Sequence, residues 1–311
     1  MINLFLITFC LNLFLTNFLI NIFRERNVRQ YVLKDAPQTH LAKQGTPTMG
    51  GLAIIISIIF VLIFQRTYVN FNIYMILFLL ISFGLIGMID DLEKVFKRQN
   101  KGLKARHKFL LQIIVASIFV GILAAANHYG SVSGLLSHVP AFVYYIFIVL
   151  LIVGFSNAVN LTDGLDGLAA GNLLIAFIGI FLFTFFNSNY NLMMLSLVIM
   201  GTIFAFLWFN VNPAKIFMGD IGSLSLGAVL AGISILIHKE LLLLILGIVF
   251  VIETLSVMLQ VSYFKLTKGK RIFKMSPLHH HFELSGWTEN KVVTRFWIIG
   301  VLALLIAMNF S

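Results

Sequence analysis

The sequence predicts an all-α, polytopic integral membrane protein with about ten transmembrane helices. Of its 311 residues, 59% are apolar and only 11% are charged, and the mean hydropathy is +0.98. Soluble domains are about 45–50% apolar and about 25% charged. The composition therefore excludes a soluble globular enzyme, a disordered chain and a collagen-like fibre, and the single cysteine excludes a disulfide scaffold.

Ten apolar runs divide the chain. Because a spanning helix takes about 20 residues, little length remains for a separate soluble domain, and we expect residues 1–311 to form a single transmembrane domain. The first run has no small-residue cleavage site after it, which favours an uncleaved span over a signal peptide. The predicted spans are Ile2–Phe23, Gly50–Phe64, Ile73–Ile89, Phe109–Asn127, Ala141–Val159, Leu173–Phe186, Leu192–Phe209, Leu224–Ile237, Leu241–Phe264 and Phe296–Phe310.

Basic residues lie almost entirely in alternate loops. One set of loops holds twenty of the 22 basic residues, and the other set holds only Arg66 and Lys239. Because basic residues collect in cytoplasmic loops, the first set is predicted to lie in the cytoplasm and both termini outside. The net charge of +10 then reflects topology and predicts no nucleic-acid partner. Most acidic residues share this side, so we expect the active site on the cytoplasmic face. The basic loops are 24–49, 90–108, 160–172, 210–223 and 265–295.

A pair of aspartates, Asp90 and Asp91, follows the third predicted span. The dipole at a helix C-terminus disfavours carboxylates, so we expect a metal ion or a lysine beside them. Lys94, one turn further on, is either that neighbour or an ordinary basic loop residue. The alternative for the pair is a solvated loop.

Two further loops combine acids with glycines. Asp163 and Asp166, preceded by Asn160, form a candidate patch for a cation or a hydroxyl, with a helix cap and turn as the alternative. Asp220 begins the eighth span, where it either caps the helix or holds a divalent ion together with phosphate oxygens. Phe217 is either a core residue or a stacking face for a planar ring.

Three consecutive histidines lie in the last basic loop. Consecutive side chains point apart, so phosphate binding or acid–base chemistry by His279, His280 and His281 is favoured over zinc binding, and a plain solvated run ranks third. The glycine-containing loop with Lys43 and Thr48 is a candidate anion cradle, although its residues are also common in turns.

Two polar residues, Glu253 and Gln260, lie seven residues apart on one face of the ninth apolar run. Polar groups within a membrane are functional candidates, and an interhelical hydrogen bond is the alternative.

Together these motifs predict phosphoryl transfer. Acids to hold Mg²⁺, lysines and helix N-termini to bind phosphates, and a carboxylate to accept a proton are the groups that this chemistry needs. Their position at the ends of spans suits one soluble substrate and one lipid phosphate.

The motifs also resemble, in order from about residue 38 to the last span, those of the phospho-N-acetylmuramoyl-pentapeptide transferase family. The aspartate motifs are shared by the wider superfamily of polyprenyl-phosphate N-acetylhexosamine-1-phosphate transferases, whereas the histidine motif is the narrower mark. The motifs that carry the resemblance are Gly45–Gly51, Asp90-Asp91 with Lys94, Asn160–Gly167, Phe217–Asp220 and Pro277–Glu283.

This resemblance implies transfer of phospho-MurNAc-pentapeptide from UDP-MurNAc-pentapeptide to undecaprenyl phosphate. The products are lipid I and UMP, Mg²⁺ is required, and the enzyme is a ten-helix homodimer in the bacterial cell membrane that serves peptidoglycan synthesis. The resemblance leaves open whether attack is direct or passes through a covalent aspartyl-phosphate; we prefer direct in-line attack.

The resemblance also implies a role for each matching residue. Asp220 is expected to bind Mg²⁺, and Asp90 to deprotonate the lipid phosphate with the support of Asp91 and Lys94. His279 and His280 are expected to contact phosphates. The substrate-binding set is expected to be Lys43, Thr48, Arg106, Asn160, Asp163, Asp166, Asn210, Phe217 (against uracil), Gln260 and His281.

Three other functions compete with this interpretation. A sister enzyme that moves another sugar-1-phosphate, such as GlcNAc-1-phosphate, is disfavoured by the histidine motif. A transporter is disfavoured because nearly all acids lie at span ends and no internal repeat is visible. A non-catalytic scaffold has no reason to gather so many acids at one face.

Overall fold

A computed structural model describes residues 2–26, 28, 45–97, 99, 102–127 and 134–310. These residues form twelve α-helices and no β-strand, which confirms the all-α prediction. The helices are α1 (Ile2–Glu25), α2 (Gly51–Phe64), α3 (Phe71–Lys97), α4 (Ala105–Ala125), α5 (Ala141–Thr162), α6 (Leu168–Phe186), α7 (Tyr190–Asn210), α8 (Gly219–Leu236), α9 (Glu240–Leu246), α10 (Ile248–Leu266), α11 (Leu278–Glu283) and α12 (Glu289–Asn309).

Nine of the helices in the described part of the chain are long and apolar enough to cross a membrane, and α2 is a shorter apolar helix of 14 residues. Large apolar side chains such as Phe14, Leu150, Trp208 and Leu302 are exposed on the outer faces of these helices. Outward-facing apolar side chains on long helices suit a lipid environment. The polytopic membrane fold is therefore confirmed.

Helix α8 lies at the centre of the bundle. Every residue from Ile221 to Leu236 is buried, and α3 and α5 pack along this helix. Glycines allow the closest approaches. A Cβ atom on Gly51 would lie 2.2 Å from the Cα of Gly222, and one on Gly87 would lie 2.3 Å from the carbonyl oxygen of Asp220. The start of α8 is therefore held directly against α2 and the last part of α3.

Helices continue beyond the predicted apolar runs where charged residues pair along them. The third span was predicted to end at Ile89, but α3 continues to Lys97 and includes Asp90 and Asp91. Lys94 pairs with Asp90 four residues earlier. Basic residues near a helix C-terminus also stabilise the helix, because they interact favourably with the negative end of its dipole. The aspartates are thus helical residues rather than loop residues.

The predicted ninth span, Leu241–Phe264, is two helices instead of one. Helix α9 ends at Leu246 and α10 begins at Ile248, with Gly247 between them. A Cβ atom on Gly247 would lie 2.5 Å from the ring of Phe155, so the glycine permits the close contact between α5 and this break.

Candidate active site

Three carboxylates meet where the end of α3 faces the start of α8. Asp90, Asp91 and Asp220, here called the carboxylate cluster, each have an oxygen within 4.8 Å of the others. Asp90 and Asp91 are only 3% and 2% exposed. The N–H of Leu103 donates to Asp90 Oδ1 at 2.9 Å, and the N–H of Ile221 donates to Asp91 Oδ2 at 3.1 Å. The aspartate motifs, 130 residues apart in sequence, therefore form one site.

Two lysines balance the carboxylate cluster. Lys94 Nζ lies 2.6 Å from Asp90 Oδ2, 3.1 Å from Asp220 Oδ1 and 3.5 Å from Asp91 Oδ1. Lys108 Nζ contacts Asp220 Oδ2 and lies 3.8 Å from Asp90 Oδ2. The expectation of a cation beside the Asp90–Asp91 pair is confirmed for Lys94. When all three carboxyl groups are ionised, the two ammonium groups leave one net negative charge.

From the sequence, Arg106 is expected to be the basic substrate-binding residue from this part of the chain, and no role is assigned to Lys108. Both residues lie in the first turn of α4, where a separation of two residues turns the side chain by about 200°. Lys108 therefore faces the carboxylate cluster, while Arg106 is exposed and is not brought to it. The spacing could have indicated this in advance: Lys108, two positions after Arg106, points to the opposite side of α4.

The end of α5 adds an amide and a fourth carboxyl group. Asn160 Nδ2 donates to Asp220 Oδ1 and to Ser223 Oγ, both at 2.9 Å. Asp163 lies just after α5 and accepts a backbone hydrogen bond from Gly219. Burial, and after it the negative charges of the carboxylate cluster, raises the pKa of Asp163 to about 7. The structure thus brings Asn160 and Asp163 to the site.

Asp166 and Asn210 hydrogen-bond to the neighbouring loops. Residues 163–167 form turns rather than a helix, so Asp163 and Asp166 do not share a helical face. Asp166 Oδ2 accepts from Asn212 Nδ2 at 3.1 Å and from the N–H of Ala214 at 3.0 Å. The N–H of Gly167 donates to Asn210 Oδ1 at 3.2 Å. These contacts fasten the two loops that border the site.

The loop before α2 pairs with the loop before α8. The N–H of Phe217 donates to the carbonyl of Pro47, and the N–H of Gly50 donates to the carbonyl of Phe217, both at 2.8 Å. Thr48 is buried beside the carboxylate cluster: a Cβ atom on Gly219 would lie 3.1 Å from Thr48 Oγ1. Gly219 itself has a φ of 74°, which favours glycine.

Lys43, the other residue predicted in this loop, lies outside the described residues.

The three histidines point to three different partners. His279, which is 1% exposed, lies with Nδ1 3.2 Å from Glu253 Oε2. His280 Nδ1 lies 3.0 Å from Glu283 Oε2. His281 Nδ1 accepts from the N–H of Lys274 at 3.1 Å. The rings of His279 and His280 nevertheless pack against each other, with 4.1 Å between their centroids, so the prediction that consecutive histidine side chains point apart is wrong for this pair.

Gln260 binds protein backbone rather than facing the carboxylate cluster. Its Oε1 accepts from the N–H groups of Ile272 and Phe273, both at 3.0 Å. In this structure Gln260 shapes the loop between α10 and α11, which is a structural role but not the interhelical hydrogen bond that the sequence left open.

Known proteins of one family match this sequence. The sequence profile of glycosyl transferase family 4 matches residues 72–238, and phospho-N-acetylmuramoyl-pentapeptide-transferase signature 1 matches residues 43–55. The chain is 50% identical over 289 residues to the phospho-N-acetylmuramoyl-pentapeptide-transferase of Staphylococcus saprophyticus, covering 90% of this chain and 89% of that protein. It belongs to the phospho-N-acetylmuramoyl-pentapeptide-transferase family.

Other members of the family are equally similar. The Staphylococcus carnosus and Staphylococcus aureus enzymes of that name are each 49% identical over 289 residues, with the same coverage. The family resemblance predicted from the motifs is confirmed. As a member of this transferase family with nine long apolar helices in its described part, the chain is a multi-pass enzyme of the bacterial cell membrane. The family 4 match spans all three residues of the carboxylate cluster.

Proposed function

We propose that this transferase moves phospho-MurNAc-pentapeptide from UDP-MurNAc-pentapeptide to undecaprenyl phosphate, with lipid I and UMP as products. The observation that supports it is the meeting of Asp90, Asp91 and Asp220 with Lys94 and Lys108 at one end of the bundle. Paired carboxylates and lysines at the end of membrane helices suit a diphosphate in water and a phosphate at the lipid surface.

The carboxylate cluster has the chemistry of a Mg²⁺ site. Its donors are hard carboxylate oxygens within 4.8 Å of one another, and one negative charge remains after the lysines are counted. Asp220 would hold Mg²⁺, with Asp90 and Asp91 beside it. When bound, the ion would neutralise charge that develops on the departing UMP.

The side chains around the carboxylate cluster have different roles in the transfer. Asp90 accepts the proton of the lipid phosphate, or orients this group, and a phosphate oxygen then attacks the β-phosphorus in line as the bond to UMP breaks. As the substrate enters, Lys94 and Lys108 turn some of their hydrogen bonds from carboxylate oxygens to phosphate oxygens. Each ammonium group can do this because it has three donor hydrogens. Asn160 keeps Asp220 oriented through its hydrogen bond to Oδ1.

His280 is proposed to contact the diphosphate, since its side chain is more exposed than that of His279. Thr48 is proposed to contact the substrate, and Phe217 to lie against uracil.

The remaining predictions concern placement in the membrane. The charge asymmetry of the loops supports a cytoplasmic active site, with both termini outside. The homodimer implied by the resemblance is retained as part of this proposal.

The test is an incubation of the purified protein with UDP-MurNAc-pentapeptide, undecaprenyl phosphate and Mg²⁺. We expect release of UMP together with a lipid-soluble product, and loss of both when Mg²⁺ is chelated. UDP-GlcNAc serves as the matched control and should give no product. Turnover with UDP-GlcNAc alone would assign the chain to a sister reaction, and no turnover by folded protein would contradict the proposal.

A further inference from the structure

Glu253 is a buried acidic residue that the proposed reaction does not yet use. It lies on α10, has no exposed surface, and reaches across to α11. The N–H of His279 donates to Glu253 Oε1 at 3.2 Å, and His279 Nδ1 lies 3.2 Å from Glu253 Oε2. The carboxylate therefore accepts a hydrogen bond from the backbone of His279, and its second oxygen lies within ion-pair distance of the ring without forming a hydrogen bond to it.

The opposite edge of this imidazole faces the loop after α5. A Cβ atom on Gly164 would lie 2.5 Å from His279 Nε2, so only glycine leaves room for the ring. Among the described residues, neither ring nitrogen of His279 makes a hydrogen bond, and neither does Glu253 Oε2. A buried polar atom without a partner is costly, which points to a group that arrives with the substrate or with movement of this loop.

The nearby carboxylate favours a proton on one ring nitrogen. A carboxylate oxygen only accepts, so a bare Nδ1 at 3.2 Å from Glu253 Oε2 would set two lone pairs against each other, and a proton on Nδ1 relieves this in the neutral ring as in the imidazolium. Nε2 is then the nitrogen presented to the loop that contains Asp163. The His280 ring packs against His279, with 4.1 Å between the ring centroids, so the placement of one histidine sets that of the next.

We propose that Glu253 is a positioning residue of the transfer reaction, which holds the amide of His279, keeps its ring proton on Nδ1 and directs Nε2 to the Asp163–Gly167 loop. This inference rests on the proposed function. Glu253 and Gln260, two turns apart on α10, would then hold the two ends of the segment from Ile272 to His279.

The substitution Glu253→Gln tests the pairing because an amide has only one acceptor oxygen. The substitution replaces one of the two carboxylate oxygens with an NH2 group: if the amide oxygen keeps the backbone N–H of His279, the NH2 group, which is a donor, faces Nδ1. We expect kcat to fall about 10–100-fold, the usual effect of losing a group that orients a functional histidine. KM should stay within about twofold, because Glu253 is buried and does not touch the substrate.

The matched control is Glu240→Gln, which makes the same chemical change at another buried glutamate. Glu240 follows α8 at the end far from Asp220, so its variant should keep kcat within about twofold. A kcat for Glu253→Gln no lower than that of this control would overturn the proposal.

¹⁵N NMR of histidine-labelled protein reports which ring nitrogen of His279 carries the proton. A purely structural role of Glu253 would not determine this position. In the unmodified protein, the His279 signals, assigned by their loss in His279→Gln, should show a proton on Nδ1, and Glu253→Gln should shift them. A bare Nδ1 with a protonated Nε2 would overturn the proposal even if Glu253→Gln failed to fold. The absence of UMP release by unmodified protein would instead contradict the proposed function, since the spectrum reports the ring independently.

Discussion

The two ends of α8 use carboxyl groups in opposite ways. At its start, three carboxylates share two lysines, and one negative charge is left over. Beyond its other end, Glu240 is buried and its Oε1 accepts from the hydroxyl of Tyr144 at 2.6 Å. The second arrangement pairs one acceptor with one donor, whereas the first needs a ligand to complete it. The difference between the two ends separates a structural polar pair from a reactive site.

The largest expected effect is at the reactive end. Asp220→Asn and Asp90→Asn should each lower turnover by roughly 10²–10⁴-fold, the scale of losing a metal ligand or a general base. UMP release measures it, and an unchanged unfolding midpoint shows that the variant is folded. Near-normal UMP release by Asp90→Asn at every pH would remove its catalytic role.

A smaller loss is expected when one of the shared cations is removed. Lys108→Gln should lower turnover about 10–100-fold, because a charge-assisted hydrogen bond to Asp220, and then to phosphate, is lost. Lys97→Gln is the matched control, since Lys97 is exposed and pairs with Glu93 on the same helix as the aspartates. Equal turnover of the two variants would show that the cation at Lys108 has no special role.

The third prediction uses the pKa of Asp163. Because burial and neighbouring carboxylates raise this pKa from 3.8 to about 7, the folded protein binds the proton more tightly than the unfolded chain does. The stability contributed by this proton is complete below a pH of about 4 and is lost as the pH rises through 7.

Asp163→Asn should therefore raise the unfolding midpoint relative to the unmodified protein more at pH 8 than at pH 5. A difference of at least roughly 2 °C is expected, the shift that about 1 kcal/mol produces in a large domain. Thermal unfolding without Mg²⁺ measures it, and added Mg²⁺ should shrink the difference. A shift of the same size at both pH values would show that Asp163 keeps an ordinary pKa.

The smallest effect on activity is expected at the other end of α8. Tyr144→Phe leaves the buried Glu240 without its hydroxyl donor and should cost about 1–3 kcal/mol of stability, while turnover per folded molecule stays within about twofold. Comparing midpoint and UMP release in one preparation checks both. Severe loss of turnover would show that this end also takes part in the reaction.

Composition and motif order were enough to predict the membrane fold and the meeting of the aspartate motifs. What escaped prediction depends on contacts that the hydropathy pattern does not show. The apolar pattern ends at Ile89, yet Lys94 extends α3 by pairing with Asp90. Gly247 breaks a continuous apolar run because Phe155 packs against it. Gln260 turns to Ile272 because a loop, invisible in the hydropathy pattern, folds back over α10.

Gly87 shows how a residue without functional groups controls the chemistry beside it. The backbone of Asp220 rests on the bare Cα of this glycine, so the distance between the α3 and α8 carboxylates is set by main chain meeting main chain. One added methyl group would act as a wedge and widen the gap that the reacting phosphates must bridge. The spacing of the reactive groups therefore depends partly on the absence of a single Cβ atom from α3.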